Sequence, residues 1–460
     1  MASTIKVDNV QNQPGTNIVS KCGTDVTIGA SGDTVALAAG ASQTGFGSPG
    51  QLVDWQTSIK TSTITAVTSE GYFVDTTGGA ITANLPAGVV GAIVAFKDYA
   101  QNFGTNALTI SADGSEKIEG ETFDLVLETQ GQGVTLIYGD ATKGWQAVNS
   151  NEIVNTEKFV SATGGTETIV CTNFKVHTFT GPGLFNINCA GNVQGSNSVD
   201  YMVVAGGGGA GGAGAGAGAG GFRESPGTAS GCYTVSPLGV APAVALPVAG
   251  ISSFSIVVGG GGASSGPAVA GPGTPGSTST FSTIDSAGGG QGNDYGPTGT
   301  AGGSGSGSGS AGPGAGGAGN TPPTTPAQGT AGGCHPGAHG ANYSGSGGGG
   351  ATVAGTPAPN PNAGTAGGAG ATPSITGSAV ARAGGGGGGL LAPGGCAGAG
   401  GTGGGGVGNA GLGSPYAGTP GTVNTGGGGG GGGGSSTGGG DRGGGGAGGS
   451  GIVVLRYKFQ

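Results

Sequence analysis

The residues that could do chemistry are few and poorly grouped. Cys334, His335 and His339 form the one ligand-like cluster in a chain of 460 residues with three histidines and six cysteines. Zinc is held by four tetrahedral donors, or by three and a water. Here a fourth ligand is missing, so the cluster reads as solvated loop residues and no metal is expected. Asp113, Glu116, Glu119, Glu121 and Asp124 imitate the paired carboxylates of a glycosidase. They fall in a turn-rich stretch with no tryptophan close in sequence, which reads as a solvated acidic face. Matches to Gly-x-Gly-x-x-Gly arise by chance among 120 glycines, and no Gly-Lys-Ser/Thr follows one, so no phosphate loop is expected. His177 lies in the alternating pattern Lys175 to Thr180 and reads as an ordinary strand residue. No nucleophile motif completes a set. The chain is expected to be non-enzymatic and to use no cofactor.

Recognition is the remaining chemistry. Non-glycine residues on candidate loop tips are Phe222, Arg223, Glu224, Tyr233, Tyr295, His335, His339, Tyr343 and Tyr416. Tyrosine offers a large contact area at low entropic cost and suits sugars and polar protein surfaces alike. These nine are the candidate receptor-binding residues, with packing inside their own loops as the plainer alternative.

The elements that must position them come from a chain of two unlike halves. Residues 201–460 hold 94 of the glycines, against 26 in residues 1–200. The net charge of −9 is divided as −10 in residues 1–200 and +1 in the remainder. An acidic half without a basic stripe argues against nucleic acid as a partner. The six cysteines are scattered with no Cys-x-x-Cys pair, too sparse for a disulfide scaffold. No apolar stretch approaches membrane-spanning length, so no membrane insertion is expected. Met1 leads straight into polar sequence, and a chain made in a cytoplasm without a standard export signal is expected.

Residues 1–62 read as a segment of short alternating strands, including Asp25 to Gly29 and Asp33 to Leu37, followed by a connector (51–62) with one large residue, Trp55. That segment is too small to bury a core alone and needs partner chains or a docking surface. Residues 63–150 carry seven short candidate strands separated by turn residues and are expected to form a β-sandwich or jelly roll. Its expected core is Phe73, Leu85, Val94, Phe96, Leu108, Ile110, Leu125, Leu127, Leu136 and Ile137. Residues 151–204 continue in β as a neck or base. Residues 205–450 are the glycine-rich region, and 451–460 return as a closing strand. The apolar stretches at 199–204, 254–258 and 451–457 are expected to form one small β base where the chain enters, passes through and leaves.

Helix and sheet are both poor choices for pure glycine runs such as Gly426 to Gly434. The left-handed threefold extended helix points every N–H and C=O outward. Without side chains, such helices can lie against one another on all sides and bond laterally, which satisfies the backbone collectively. A polyglycine-II helical bundle on a small β base is therefore the expectation, in a mainly β protein. A nine-glycine run would be roughly 28 Å long at about 3.1 Å per residue. Counting passes from Ala205 places distal turns near 221–232 and 263–280, with a third candidate at 321–343.

The pattern resembles bacteriophage tail-fibre receptor-binding proteins with glycine-rich C-terminal domains. The residues that carry the resemblance are Val199 to Gly209, Phe281 to Gly290 and the ending Gly448 to Tyr457, with Met1 to Asp8, Gly71 to Thr77 and Lys143-Gly-Trp145 nearer the N-terminus. The resemblance implies a virion protein made in the host cytoplasm. Its N-terminus would dock on other tail or adaptor proteins and its β domains would associate as a homotrimer. Loops of the glycine-rich domain would touch a host surface receptor, a polysaccharide or an outer-membrane protein. A polysaccharide-degrading tail spike and a purely structural glycine-rich fibre are the alternatives.

Overall fold

The structure is a computed structural model. It describes residues 53–148 and 158–460, apart from 193–194, 213, 232, 267–270, 295, 297, 310–312, 338–343, 359–362, 392–394, 411–415 and 435–442, together with three strands among the first 28 residues. The described residues form strands and turns and contain no helix. Glycine, β-branched residues and turn signals leave helix no long favourable stretch. The chain divides into two compact units, Met1–Glu152 and Ile153–Gln460.

In the first unit, β1 (Asn9–Gln11), β2 (Asn17–Cys22) and β3 (Asp25–Ile28) pair antiparallel in that order. The expected strand at Asp25 is β3; the one at Asp33 to Leu37 lies outside the described residues. Nine strands follow: β4 (Asp54–Lys60), β5 (Ile64–Thr65), β6 (Glu70–Val74), β7 (Ile81–Asn84), β8 (Ile93–Asp98), β9 (Leu108–Ser111), β10 (Leu125–Leu127), β11 (Gly133–Asp140) and β12 (Gly144–Ala147). They make a five-stranded sheet, β12-β11-β8-β6-β4, and a four-stranded sheet, β10-β9-β7-β5. From β4 to β9 the chain switches sheet at every strand. As a result β4, β6 and β8 pair in parallel, as do β5, β7 and β9. Parallel neighbours need a crossover, and here a strand of the other sheet supplies it.

Leu85, Val94, Phe96, Leu108, Ile110, Leu125, Leu127 and Leu136 are buried, joined by Trp145 and Ile118. Phe73 and Ile137, expected in the core, are half-buried instead. They alternate with the buried pairs Tyr72/Val74 and Leu136/Tyr138, and the period of two turns them to the opposite face. Residues 51–62 are also not a simple connector, since β4 occupies most of them. Trp55 lies on that strand over Gly71, where an added Cβ would stand 2.7 Å from the indole. Its ring centroid is 4.9 Å from that of Phe73.

The second unit begins with β13 (Val160–Thr163), β14 (Thr166–Val170), β15 (Phe174–Phe179), β16 (Gly183–Ala190), β17 (Ser198–Val204), β18 (Phe222–Glu224), β19 (Leu246–Pro247), β20 (Ser252–Val257), β21 (Ser279–Phe281) and β22 (Ile284–Ser286), and ends with β23 (Ile452–Lys458). One sheet runs β13-β16-β20-β21-β22; the other runs β14-β15-β23-β17-β18, with β19 pairing β17. Side chains of both sheets share one core that includes Phe185, Tyr201, Phe281, Leu455 and Tyr457. Of the three strands expected in one base, β17 and β23 pair directly, from Asp200↔Arg456 to Val204↔Ile452. The third, β20, belongs to the other sheet, where it pairs β16 and β21. The β17–β23 pair has a second buried face. There Met202, Val204, Ile452 and Val454 meet Ala219, Ala351, Ala371 and Ala383. That is where the side-chain core gives way to the glycine-rich segments.

Those segments bond sideways with a period of three. Along 205–212, Gly206 and Gly209 donate to Ser277 and Thr274, Gly207 and Ala210 donate to Gly449 and Gly446, and Gly208 donates to Gly218. Their carbonyls accept in the same rhythm: Gly206 and Gly209 from Gly289 and Gly292, Gly207 and Ala210 from Gly262 and Ser265, Gly208 and Gly211 from Gly429 and Gly432. This one segment therefore hydrogen-bonds to six others. Segments 214–221, 383–390 and 426–434 do the same. They are buried along their whole length, whereas outer segments bury every third residue, such as Gly259, Gly262 and Ser265. At their glycines the inner segments leave no space for a side chain: a Cβ on Gly386 would stand 1.9 Å from the carbonyl oxygen of Gly429.

Candidate functional site

The glycine-rich segments have two ends. One abuts the β17–β23 sheet. At the other, Gly214 donates to Gly432, Gly389 to Gly214 and Gly345 to Gly389. Described segments stop at this far end at 266, 294, 309, 337, 358, 391, 410 and 434.

Several candidate recognition residues lie at the sheet end. The distal turn expected at 221–232 is not distal. Ala205 donates to the carbonyl of Gly221 at 3.0 Å, so the chain has already gone out and returned between them. A glycine–alanine tract makes this reversal without a proline or polar marker, so the sequence reading places the turn too late in the chain. Phe222, Arg223 and Glu224 form β18 against Met202 to Val204. Phe222 and Glu224 are buried and Arg223 is half-buried, so this trio is part of the base rather than a tip. Tyr233 packs there too, its ring 5.0 Å from the Arg456 guanidinium carbon. The third expected turn begins at the sheet end as well. The carbonyl of Gln328 accepts from Phe222 N at 2.8 Å, and its side-chain oxygen accepts from Ala287 N.

His335 is buried and exchanges two backbone hydrogen bonds with Gly314. Tyr416 is half-buried, and its carbonyl accepts from Gly433 near the far end. Tyr295, His339 and Tyr343 lie outside the described residues. Among the described residues no group of three His, Cys, Asp or Glu side chains is placed to hold a metal ion.

The acidic stretch of the first unit is built into its turns. Glu116 accepts from Gly88 N at 2.8 Å and from the Trp145 indole at 3.4 Å, and Glu119 accepts from Ala147 N at 2.6 Å. Trp145, distant in sequence, thus joins Glu116, but it is fully buried and offers no platform for a sugar ring. His177 lies buried between the two sheets of the second unit. Its Nδ1 is 2.7 Å from the Gly164 carbonyl and its Nε2 is 3.0 Å from the Tyr457 hydroxyl. Burial holds its pKa below the usual histidine value, and raises that of Tyr457 to about 12.

The sequence reading misses a buried polar cluster at the sheet end. Asp200 and Arg456 face each other across β17 and β23, and both are fully buried. Asp200 accepts from the hydroxyls of Ser225 at 2.7 Å and Ser230 at 2.5 Å. Arg456 donates Nη1 to the Ile375 carbonyl at 3.1 Å and lies over the rings of Phe174 and Tyr233. Its Nε and Nη2 have no hydrogen-bond partner. Glu224, 2% exposed, accepts from Ser236 N at 3.0 Å through Oε2, while Oε1 has no partner. Burial pushes Glu224 up to about 7, opposed by its Ser236 bonds and reinforced by Asp200. The same burial drives the Tyr233 hydroxyl well above its ordinary value. A signal for the cluster was present: Asp200 and Arg456 are single charges inside apolar strands, Val199 to Val204 and Ile452 to Tyr457.

A family model described as a glycine-rich domain matches residues 180–458. No curated protein matches the chain.

Proposed function

The chain belongs to the glycine-rich domain family, and we propose that it is a tail-fibre protein of a bacteriophage that displays host-recognition loops on a polyglycine-II bundle. The observation that carries this reading is the lateral bonding of period three, in which segment 205–212 bonds to six others. Threefold extended helices place successive N–H and C=O groups about 120° apart, which suits such bonding. A bundle of this kind needs no side chains inside, so outer residues and the turns away from the sheets are left to vary with the receptor. The receptor is a polysaccharide or an outer-membrane protein on the host surface. The N-terminal segment attaches the chain to the virion through other tail proteins, and the fibre is a homotrimer assembled in the host cytoplasm. Tyr416 and His335 are the described candidates towards the far end. Phe222, Glu224 and Tyr233 serve the base.

Labelled full-length chain added to a panel of bacterial strains tests the reading. Saturable binding to some strains and not others, weakened by Tyr416→Ala, is the expected result. Binding to none of the strains sinks host recognition. Release of reducing ends from surface polysaccharide would replace it with the degrading-spike reading.

A further inference from the structure

Glu224 closes the joint at which the glycine-rich segments meet the sheet. Segment 214–221 runs directly into β18, and β18 carries Glu224 on the buried side of the sheet. Four elements bring polar or charged groups to the buried region around β18. Asp200 comes from β17 and Arg456 from β23; Ser225, Ser230, Tyr233 and Ser236 come from the loop after β18. The 371–383 loop adds the Ile375 carbonyl, which takes one nitrogen of Arg456, and the buried Arg382, whose Nη1 donates to Val380. Arg223, the other charged residue of β18, is half-buried. Two carboxyl groups are thus enclosed on one sheet face, yet among the described residues neither is in an ion pair with Arg456. The Ser225 and Ser230 hydroxyls serve Asp200, whereas Glu224 keeps one oxygen, Oε1, without any partner. An unpaired carboxylate oxygen in such a place is costly, and protonation removes most of that cost.

We propose that Glu224 makes this joint a proton-controlled latch, in which its neutral form keeps the loop bearing Ser225, Ser230 and Ser236 closed over the sheet and its ionised form lets that loop and the end of β18 open. Opening hydrates the carboxylate and separates it from Asp200. The neighbouring inner segments, such as 426–434, hold no ionisable group and do not share the response. The direction follows from proton binding. The closed state holds its proton to about pH 7, while a hydrated glutamate releases it near 4.5. Between those values the closed state binds more protons, so rising pH favours opening, and above them the effect levels off. This inference stands apart from host recognition, since it concerns the base of the unit whatever its far end binds.

Hydrogen exchange of the full-length chain tests it. Amides of 222–231 are followed from about pH 5 to about pH 8, with 426–434 as the internal reference for the intrinsic pH dependence. Relative protection of 222–231 should fall by up to about tenfold per pH unit up to neutrality and then level. Glu224→Gln should hold high protection at every pH. Ser236→Ala, which removes a hydroxyl that favours the ionised form, should carry the fall on to higher pH before it levels. Protection in the native chain that tracks the reference throughout overturns the latch. So does a fall that persists unchanged in Glu224→Gln, or, if that variant does not fold, one left unmoved by Ser236→Ala.

Discussion

The first unit and the glycine-rich segments of the second build their interiors from opposite materials. In the first, Leu108, Ile110, Leu125, Leu127, Leu136 and Trp145 are buried on sheets whose strands alternate inward and outward residues. Removing their apolar surface from water stabilises the fold by about 25 cal/mol per Å². In the second, segments 205–212, 214–221, 383–390 and 426–434 have little apolar surface to bury. Their order comes from backbone groups that find partners in separate segments. Each such bond contributes only about 1 kcal/mol net, but leaving one buried and unmade costs more. Tolerance to substitution should therefore be inverted between the units. The first is weakened by removing atoms, the glycine-rich segments of the second by adding them.

The largest effect expected is from Gly386→Val. A single Cβ there already meets the Gly429 carbonyl oxygen at 1.9 Å, and valine adds two methyl groups between segments 383–390 and 426–434. Neither segment can withdraw without breaking bonds to its other partners. The cost should exceed about 5 kcal/mol, the range in which single substitutions become exceptional. Limited proteolysis should show the second unit degraded while a fragment of the first survives. A resistant second unit would break the comparison, because its interior would then have the slack that its glycines deny.

Next in size is truncation in the first unit. Leu108→Ala removes a fully buried side chain at the start of β9 and should cost about 2–5 kcal/mol, seen as an earlier denaturant transition of that unit. The matching truncation in the glycine-rich segments has little to remove: Ala217→Gly deletes a single methyl group.

How far the sequence reveals each unit follows from the same contrast. Alternation exposes seven strands of the first unit, with Leu108 to Ser111 as β9, but neither β4, read as a connector, nor the two-residue β5. Pairing is not local, so nothing in the spacing announces that β4, β6 and β8 run parallel. Phe73 and Ile137 show a subtler limit, because alternation gives two faces without saying which is inward. In the second unit inner segments such as 384–389 and 426–434 are legible as pure glycine runs, while 214–221 alternates glycine with alanine. The positions of the reversals are not legible. Ala205 to Gly221 turns back on itself with no change of composition, which moves Phe222, Arg223 and Glu224 from an expected tip to the base. The charge cluster around Asp200 and Arg456 needs the β17–β23 register, which brings together residues 256 positions apart in the chain.

A third test sharpens the boundary between the two kinds of core. Glu224 has a folded-state pKa of about 7 against an ordinary 4.5. The folded state is favoured by the bound proton, so its stability is greatest below about pH 4.5, falls as pH rises towards 7 and is flat above. A shift of this size corresponds to about 3 kcal/mol in all. Denaturant melts of the second unit at pH 5 and pH 8 should show that decline in the native chain and not in Glu224→Gln. Equal slopes in both would place the charge penalty on another group.

The smallest effect expected is the most discriminating, because it compares neighbours in one glycine run. A Cβ on Gly260 meets nothing within 4 Å, whereas one on Gly261 meets the Gly448 carbonyl oxygen at 1.9 Å. Both residues are exposed by area, so burial alone predicts no difference between them. Gly260→Ala should lie within about 0.5 kcal/mol of the native chain, or stabilise it slightly by restricting the unfolded state. Gly261→Ala should cost at least about 1–3 kcal/mol as segment 443–451 is pushed away. Ala263, three positions beyond Gly260, already carries a side chain in the outward direction that this period of three predicts. Equal melts for the two alanine variants would mean that the close approach of backbones is not what selects glycine in this unit.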